Sequence, residues 1–223
     1  MSDRWVGDYD AVVFDNDGVL VAPTEHEILV DAVVDSFRAF GVEIDRSIAR
    51  RTVAEDTVPI EAAREHGLDP ETFWHHRELT ASLAQQTHVR DGGKQVYDDV
   101  AALGQLDLPL GIVSNNQHAT IEFLLAHYDL DGFRTAYGRQ PTLEGADRRK
   151  PEPDYLERAL ADLDSSEALY VGDSEKDVVA ARRAGIDSVF LRRDHIADVA
   201  LSVEPTAEVP DLRTLVEILT EQR

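Results

Sequence analysis

Short apolar runs rich in β-branched residues alternate along the chain with segments whose apolar residues recur at helical spacing. Several runs are apolar throughout, which is typical of strands buried on both faces of a parallel sheet. The predicted strands are 11–14, 110–113, 135–137, 168–171 and 188–191. The predicted helices near them are 94–105, 118–127, 153–163 and a last one over 210–223. This alternation predicts an α/β fold, in which an open parallel sheet carries helices on both faces.

One long segment after the first strand shows only helical patterns. These patterns cover 28–37, 60–66 and 70–86, and the last predicts an apolar stripe of Phe73, Leu79 and Leu83. We therefore predict an all-helical subdomain at 21–90, inserted into a core formed by 1–20 and 91–223. The Gly92-Gly93 pair is the predicted hinge at which the chain returns to the core.

The composition limits the classes of function. The chain has 223 residues and no cysteine, which excludes disulfides, thiolate nucleophiles and cysteine-based zinc sites. Its formal net charge of −22 disfavours nucleic acid and anionic lipid as partners. No apolar run reaches the roughly 18–20 residues that span a bilayer, and no signal peptide is recognisable at the start. We therefore expect a soluble cytoplasmic protein with no nucleic-acid or membrane partner.

The acidic surface also suggests a salt-rich cytoplasm. Self-repulsion at a net charge of −22 destabilises a compact fold unless concentrated salt screens it. Lysine is scarce among the 22 basic residues, and arginine makes up the rest. An ordinary acidic protein is the alternative, and the dependence of unfolding on KCl distinguishes the two.

Polar side chains cluster at the predicted carboxyl edge of the sheet, where open α/β proteins bind ligands. In chain order they are Asp15 and Asp17, then Ser114 and Asn115, then Lys150, then Asp173 and Asp177. Each group has an ordinary structural explanation as an Asx turn or a helix N-cap. Several such coincidences at one edge of one sheet instead favour an active site.

These motifs, in this order, resemble those of the haloacid dehalogenase-like hydrolase superfamily: Asp-x-Asp-Gly-Val, a serine after a strand, Lys-Pro-x-Pro and Gly-Asp-x-x-x-Asp. The chain is most similar to the phosphatase branch that includes phosphoglycolate phosphatases and β-phosphoglucomutases. The resemblance covers the core at 10–20 and 91–195. It implies a Rossmann-like core, with a helical cap where the chain has its insertion at 21–90.

The resemblance also implies roles for the clustered residues. Asp15 would be the nucleophile that forms an aspartyl phosphate, and Asp17 the general acid and base. Mg²⁺ would be held by the Asp15 carboxylate, the Asp17 backbone carbonyl and Asp173. Ser114, Asn115 and Lys150 would bind the phosphoryl group, and Asp177 would fix Lys150 or a metal-bound water. The implied partner is a small-molecule phosphate ester, because Asp17 supplies the proton that its leaving oxygen needs.

Two alternatives remain open at this stage. A β-phosphoglucomutase-type phosphomutase would use the same aspartyl phosphate but return the group to a sugar. A non-catalytic phosphate-binding regulatory module would keep the fold without turnover. Weaker candidates for substrate contact are Thr24, His26, Glu27, Arg50 and Arg51. The His75-His76 pair is interpreted as a surface pair, because no third ligand stands at metal spacing.

Overall fold

A computed structural model describes residues 7–221; the parts of the predicted core and last helix at 1–6 and 222–223 lie outside the described residues. The strands are β1 (Ala11–Phe14), β2 (Leu110–Gln117), β3 (Phe133–Arg139), β4 (Ala168–Gly172), β5 (Asp187–Leu191) and β6 (Ala207–Val209). They form a sheet in the order β3-β2-β1-β4-β5-β6, in which every neighbouring pair is parallel. The predicted Rossmann-like open parallel sheet is confirmed, with β6 as an additional edge strand.

Helices cover both faces of this sheet. The helices of the described residues are α1 (His26–Ala39), α2 (Arg46–Ala54), α3 (Ile60–Glu65), α4 (Pro70–Arg90), α5 (His118–His127), α6 (Leu143–Asp147), α7 (Asp154–Leu163), α8 (Glu175–Ala184) and α9 (Leu212–Glu221). Side chains of β1 alternate between two helical layers, as the pleat of a strand requires. Ala11 and Val13 pack in the layer of α7 and α8, whereas Val12 and Phe14 pack in the layer of α5 and α9. No helix among the described residues is long and apolar enough to cross a membrane.

Helices α1 to α4, at residues 26–90, form the helical insertion between β1 and β2. It has a hydrophobic core of its own, built from Val30, Val33, Phe37, Ala49, Ala63 and Phe73. The two connections to the sheet run side by side, because Val21 and Val96 form an antiparallel bridge and the N–H of Ala22 donates to the carbonyl of Gln95 at 2.8 Å. Gly92 lies just before the second of these connections and has a φ of +80°, a left-handed conformation that favours glycine.

The predicted apolar stripe on α4 is wrong. Phe73 is buried, but Leu79 and Leu83 are 43% and 61% exposed. The buried face of α4 instead carries Arg77 and Glu78 beside Phe73. This face is polar because it covers a polar cavity over the sheet, which is described below.

The predicted helix over 94–105 is also wrong in its first half. Only a short 3₁₀ turn forms, at Val100–Gln105. Residues 95–97 are held in extended form against 20–22, since the N–H of Tyr97 donates to the carbonyl of Leu20 at 3.0 Å. This backbone pairing holds the segment extended, although its apolar spacing suits a helix.

Candidate active site

The turn after β1 presents Asp15 and Asp17 at the carboxyl edge of the sheet. The N–H of Leu20 donates to the carbonyl of Asn16 at 2.8 Å, which closes the turn. Gly18 has a φ of +77°, and a Cβ atom built on it would lie 1.8 Å from Oδ2 of Asp173. Only glycine therefore allows the acidic residue that follows β4 to come this close to the turn.

Arg193, which follows β5, also fixes this turn. Its guanidinium donates to the carbonyls of Gly18 and Val19 at 3.0 and 2.7 Å. It is itself held by Asp99, at 2.9 Å, and stacks over the ring of Tyr97. Arg193 was not among the predicted site residues, because the two arginines after β5, Arg192 and Arg193, match none of the motifs.

Lys150 lies buried at the centre of the site. Its Nζ atom is 3.0 Å from Oδ2 of Asp15 and 2.6 Å from Oδ1 of Asp177. It also donates to the carbonyl of Val113 at 3.1 Å and to the hydroxyl of Tyr170 at 2.7 Å. Burial alone would lower the pKa of Lys150, but the attraction of Asp15 and Asp177 outweighs burial and raises it. The amine is therefore a fixed cation beside the Asp15 carboxylate.

Three carboxylates converge beside this lysine. One oxygen each from Asp15, Asp173 and Asp177 can be chosen so that all lie within 4.8 Å of one another. Burial, opposed by Lys150, raises the pKa of Asp15 to about 6. Burial and the neighbouring carboxylates raise the pKa of Asp173 to about 8. Burial and, secondly, the repulsion between these carboxylates disfavour their charged forms, which a bound cation would stabilise; carboxylate oxygens are the ligands that Mg²⁺ prefers.

Asp177 is held by two sets of donors. Its Oδ2 accepts from the backbone N–H of Ser174 at 2.9 Å, at the start of α8, and from the Ser174 hydroxyl at 2.6 Å. Its Oδ1 pairs with Lys150. The resemblance implied that Asp177 fixes either Lys150 or a metal-bound water. The contact in the structure is with Lys150.

Asp17 faces away from this cluster and towards the helical insertion. Its carboxylate is 26% exposed and pairs with Nζ of Lys94, while the side-chain amide of Asn116 donates to it at 2.6 Å. Lys94 is completely buried and also donates to the Thr24 hydroxyl at 2.8 Å. Sequence reasoning missed Lys94 and Asn116, although the scarcity of lysine was a signal for the first.

The remaining phosphate-binding candidates differ in what they contact. Ser114 is buried in β2, where its Oγ accepts from the N–H of Asn116 at 3.2 Å. The Asn115 side chain bonds the backbone of Lys150 twice, donating to its carbonyl at 2.9 Å and accepting from its N–H at 2.8 Å. Both ends of this amide thus contact the backbone of Lys150, and the binding of a phosphoryl group by Asn115 stays a prediction.

A cavity of about 210 Å³ opens between the sheet edge and the helical insertion. Its lining includes Asp17, Thr24 and Asn116, together with Trp74, Arg77 and Arg139. Of the weaker sequence candidates, Thr24 therefore lies at the cavity. The other candidates lie on the surface: His26 and Arg51 are exposed, and Glu27 pairs with Arg50 at 3.3 Å. His75 of the predicted surface pair is also exposed.

The open parallel sheet, with an acidic, lysine-centred site at its carboxyl edge, places the chain among Rossmann-like α/β proteins. The family model of the haloacid dehalogenase-like hydrolases matches residues 9–185, and the chain belongs to that family. This is the family that the motifs predicted.

Two relatives agree with this assignment, and a solved structure has a similar fold. The chain is 31% identical over 131 residues to the pyrophosphatase PpaX of Anoxybacillus flavithermus, covering 56% of this chain and 58% of that one. It is 32% identical over 132 residues to a phosphoglycolate phosphatase of Photorhabdus laumondii, covering 53% and 56%. These matches span little more than half the length of either relative. The fold is similar to that of a crystallised putative phosphoglycolate phosphatase from Lactobacillus plantarum, with a TM-score of 0.67 at 21% identity over 94% of this chain and 99% of that one.

Proposed function

We propose that this protein is a Mg²⁺-dependent phosphatase that hydrolyses a small-molecule phosphate monoester through an aspartyl phosphate on Asp15. The observation that carries the proposal is the buried amine of Lys150, 3.0 Å from the carboxylate of Asp15. A carboxylate approaches a phosphate dianion only if the negative charge is neutralised, and this cation is fixed where the approach would occur. The phosphatase names of the two relatives support the same reaction class.

In the first step, an oxygen of Asp15 attacks phosphorus and the bond from phosphorus to the ester oxygen breaks. Asp17 gives its proton to that leaving oxygen, which suits its half-buried position at the cavity. In the second step, water attacks phosphorus and Asp17 takes the proton back, which releases phosphate and restores Asp15. Lys94 and Asn116 orient the Asp17 carboxylate throughout.

The proposed metal ligands are Asp15, Asp173 and the backbone carbonyl of Asp17. The carboxylates fit such a site, because burial has raised the pKa of both. Within residues 7–221, the basic residue that pairs with Asp173 is His195, at 3.5 Å, which is farther than the 3.0 Å between Lys150 and Asp15. When bound, Mg²⁺ supplies positive charge that screens the substrate phosphoryl oxygens. Asp177 remains with Lys150, and Ser114 and the Asn115 backbone are the proposed contacts of the phosphoryl group.

We also propose that residues 21–90 act as a cap over a core formed by 1–20 and 91–223. The separate hydrophobic core of the helical insertion supports this division. So does the cavity, whose walls come from both parts. In this arrangement the core performs the chemistry and the cap selects the substrate.

A panel of phosphate esters and pyrophosphate, assayed with Mg²⁺ in low and molar KCl, tests the proposed function. Release of inorganic phosphate that EDTA abolishes supports it, and the KCl arm tests the predicted adaptation to salt. If none of the compounds is hydrolysed in either salt, the phosphatase proposal is wrong. If a sugar bisphosphate primes isomerisation without release of phosphate, the protein is a phosphomutase.

Mg²⁺ should stabilise the protein much more at about pH 8 than at about pH 5.5. The raised pKa values of Asp15, about 6, and Asp173, about 8, mean that the folded metal-free protein holds protons that the unfolded chain has released. Its stability without metal should therefore fall as the pH rises from about 4 to about 8, and Mg²⁺ should reverse this fall. Thermal unfolding in EDTA and in MgCl₂ across this range measures both effects. The same Mg²⁺ stabilisation at both ends of the range would contradict the proposed ligands.

A further inference from the structure

Two carbonyl groups of the turn after β1 accept hydrogen bonds from a side chain rather than from the backbone. They belong to Gly18 and Val19, which are both buried. The backbone hydrogen bonds that close the turn run instead to the carbonyls of Asn16 and Val21. Within residues 7–221, the donor to the carbonyls of Gly18 and Val19 is the guanidinium of Arg193, at 3.0 and 2.7 Å. Because a buried carbonyl without a donor is costly, the position of these two peptide groups depends on Arg193.

Arg193 is itself held in one place. Its guanidinium makes a bidentate pair of hydrogen bonds with the carboxylate of Asp99, at 2.9 and 3.1 Å. This pair is shielded from solvent, since the side chains of Arg193 and Asp99 are 11% and 5% exposed. The guanidinium carbon also lies 3.6 Å from the ring centroid of Tyr97, and Asp99 accepts from the N–H of Leu212 at 2.9 Å. The planar fork of Arg193 is therefore a rigid support for the turn.

The turn that Arg193 supports carries part of the proposed metal site. The carbonyl of Asp17, a proposed ligand, belongs to the peptide bond that joins it to Gly18. The carboxylate of Asp173, another proposed ligand, lies against the same glycine, since a Cβ atom built on Gly18 would be 1.8 Å from its Oδ2. A shift of Gly18 would therefore move the two ligands relative to each other. Mg²⁺ needs nearly ideal octahedral geometry at about 2.0–2.1 Å, so a small shift is enough to weaken its binding.

We propose that Arg193 is a positioning residue for the metal site, which holds the Gly18 peptide group so that the Asp17 carbonyl and the Asp173 carboxylate keep their relative position. This inference rests on the proposed Mg²⁺-dependent function and adds to it a residue from outside the four motifs. Asp99 neutralises the charge of Arg193, so the role of the guanidinium is geometric. Replacing a residue that orients metal ligands typically costs about 10- to 100-fold in metal affinity.

The neighbouring Arg192 offers a matched control. It also pairs with an acidic residue, Glu208 at 2.6 Å, and its guanidinium also donates to backbone carbonyls. These carbonyls belong to residues 196, 197 and 199, outside the turn after β1. Replacement of either arginine removes hydrogen bonds and should lower stability. Only replacement of Arg193 should alter the binding of the metal.

The test measures the binding of Mg²⁺ and Ca²⁺ to the wild type, Arg193→Met and Arg192→Met. The rise of Tm with the concentration of MgCl₂ or CaCl₂, at about pH 8 and without substrate, gives an apparent Kd for each ion. Arg193→Met should raise the Kd of Mg²⁺ by about 10- to 100-fold. The Kd of Ca²⁺ should rise less, because Ca²⁺ accepts longer bonds and irregular coordination. A changed ratio of the two Kd values reports the geometry of the site, which a general loss of stability does not alter.

Arg192→Met should keep the wild-type Kd of both ions. The role of Arg193 would be overturned by an unchanged Kd of Mg²⁺ in Arg193→Met, by an equal rise for both ions, or by the same rise in Arg192→Met. Each of these results would leave the phosphatase proposal intact. A wild type that MgCl₂ does not stabilise would instead contradict the proposed metal site on which this inference rests.

Arg193→Lys decides if Arg193→Met does not fold. The ammonium of lysine keeps the charge, but it lacks the planar fork that binds Asp99 and both carbonyls at once. Its Kd for Mg²⁺ should therefore rise above the wild-type value, and by a larger factor than its Kd for Ca²⁺. Wild-type values for both ions in Arg193→Lys would show that the fork does not position the site.

Discussion

Replacing Asp15 by asparagine should abolish turnover of every substrate, by about 10⁵- to 10⁶-fold, the loss seen when a covalent enzyme loses its nucleophile. An amide is too weak a nucleophile to accept the phosphoryl group. Steady-state hydrolysis of several phosphate esters with Mg²⁺ measures the effect. The loss should not depend on the leaving group, because formation of the aspartyl phosphate precedes all later steps.

The same substitution should leave the fold intact. Asparagine has the size of aspartate, and the raised pKa of Asp15 shows that burial already disfavours its charge. Lys150 retains Asp177 as a partner at 2.6 Å. Asp10→Asn is a matched control at the opposite end of β1, where Asp10 accepts a hydrogen bond from Ser165. Substantial activity in Asp15→Asn, after contamination with wild type is excluded, would show that the nucleophile is wrong.

Asp17→Asn should slow hydrolysis according to the leaving group. General acid–base catalysis contributes about 10²–10⁴ in rate, so an alkyl phosphate should lose that much in the first step. The nitrophenolate ion leaves without protonation. The first step should therefore be slowed less with nitrophenyl phosphate than with an alkyl phosphate. In this variant no base activates the water that attacks the aspartyl phosphate, so the second step is slow and the intermediate accumulates. Rapid mixing should therefore show a burst of nitrophenol of up to one equivalent per site.

A double variant separates catalysis from charge balance at this position. Asp17→Asn leaves the ammonium of Lys94, which is completely buried, without its carboxylate partner. Asp17→Asn combined with Lys94→Met removes both charges. If the leaving-group dependence persists in the double variant, it reports proton transfer. If the double variant regains wild-type rates, Asp17 only neutralises Lys94 and is not the general acid.

Asp15 and Asp173, which sequence reasoning identified, each follow a strand that the apolar pattern predicts. The parallel pairing of β1 and β4 brings them together, and the end of a strand fixes their position. Lys150 instead lies in the connection between α6 and α7 and was identified by its motif. Their contacts therefore follow from the fold class and a short motif. The structure adds the distances between them and the directions in which the pKa values of Asp15, Lys150 and Asp173 are shifted.

The residues that sequence reasoning missed act across long separations from the helical insertion and its connections. Lys94 reaches Asp17 from a segment whose pattern predicts a helix, because the backbone pairing of 95–97 with 20–22 is invisible in local spacing. Arg77 and Glu78 lie on the buried face of α4, where an apolar stripe was expected. A helix that lines a polar cavity lacks a continuous apolar stripe, because its inward face carries polar and charged side chains beside apolar ones.

Acid quenching followed by mass spectrometry tests the aspartyl phosphate most directly. Wild type and Asp17→Asn are quenched during turnover of nitrophenyl phosphate, and the peptide that contains Asp15 is analysed. We expect one phosphoryl group on Asp15, accumulating in Asp17→Asn, and borohydride reduction of this acyl phosphate should convert residue 15 to homoserine. Release of nitrophenol with no phosphoryl group on Asp15 in either protein, or a phosphoryl group on another residue, would contradict the mechanism.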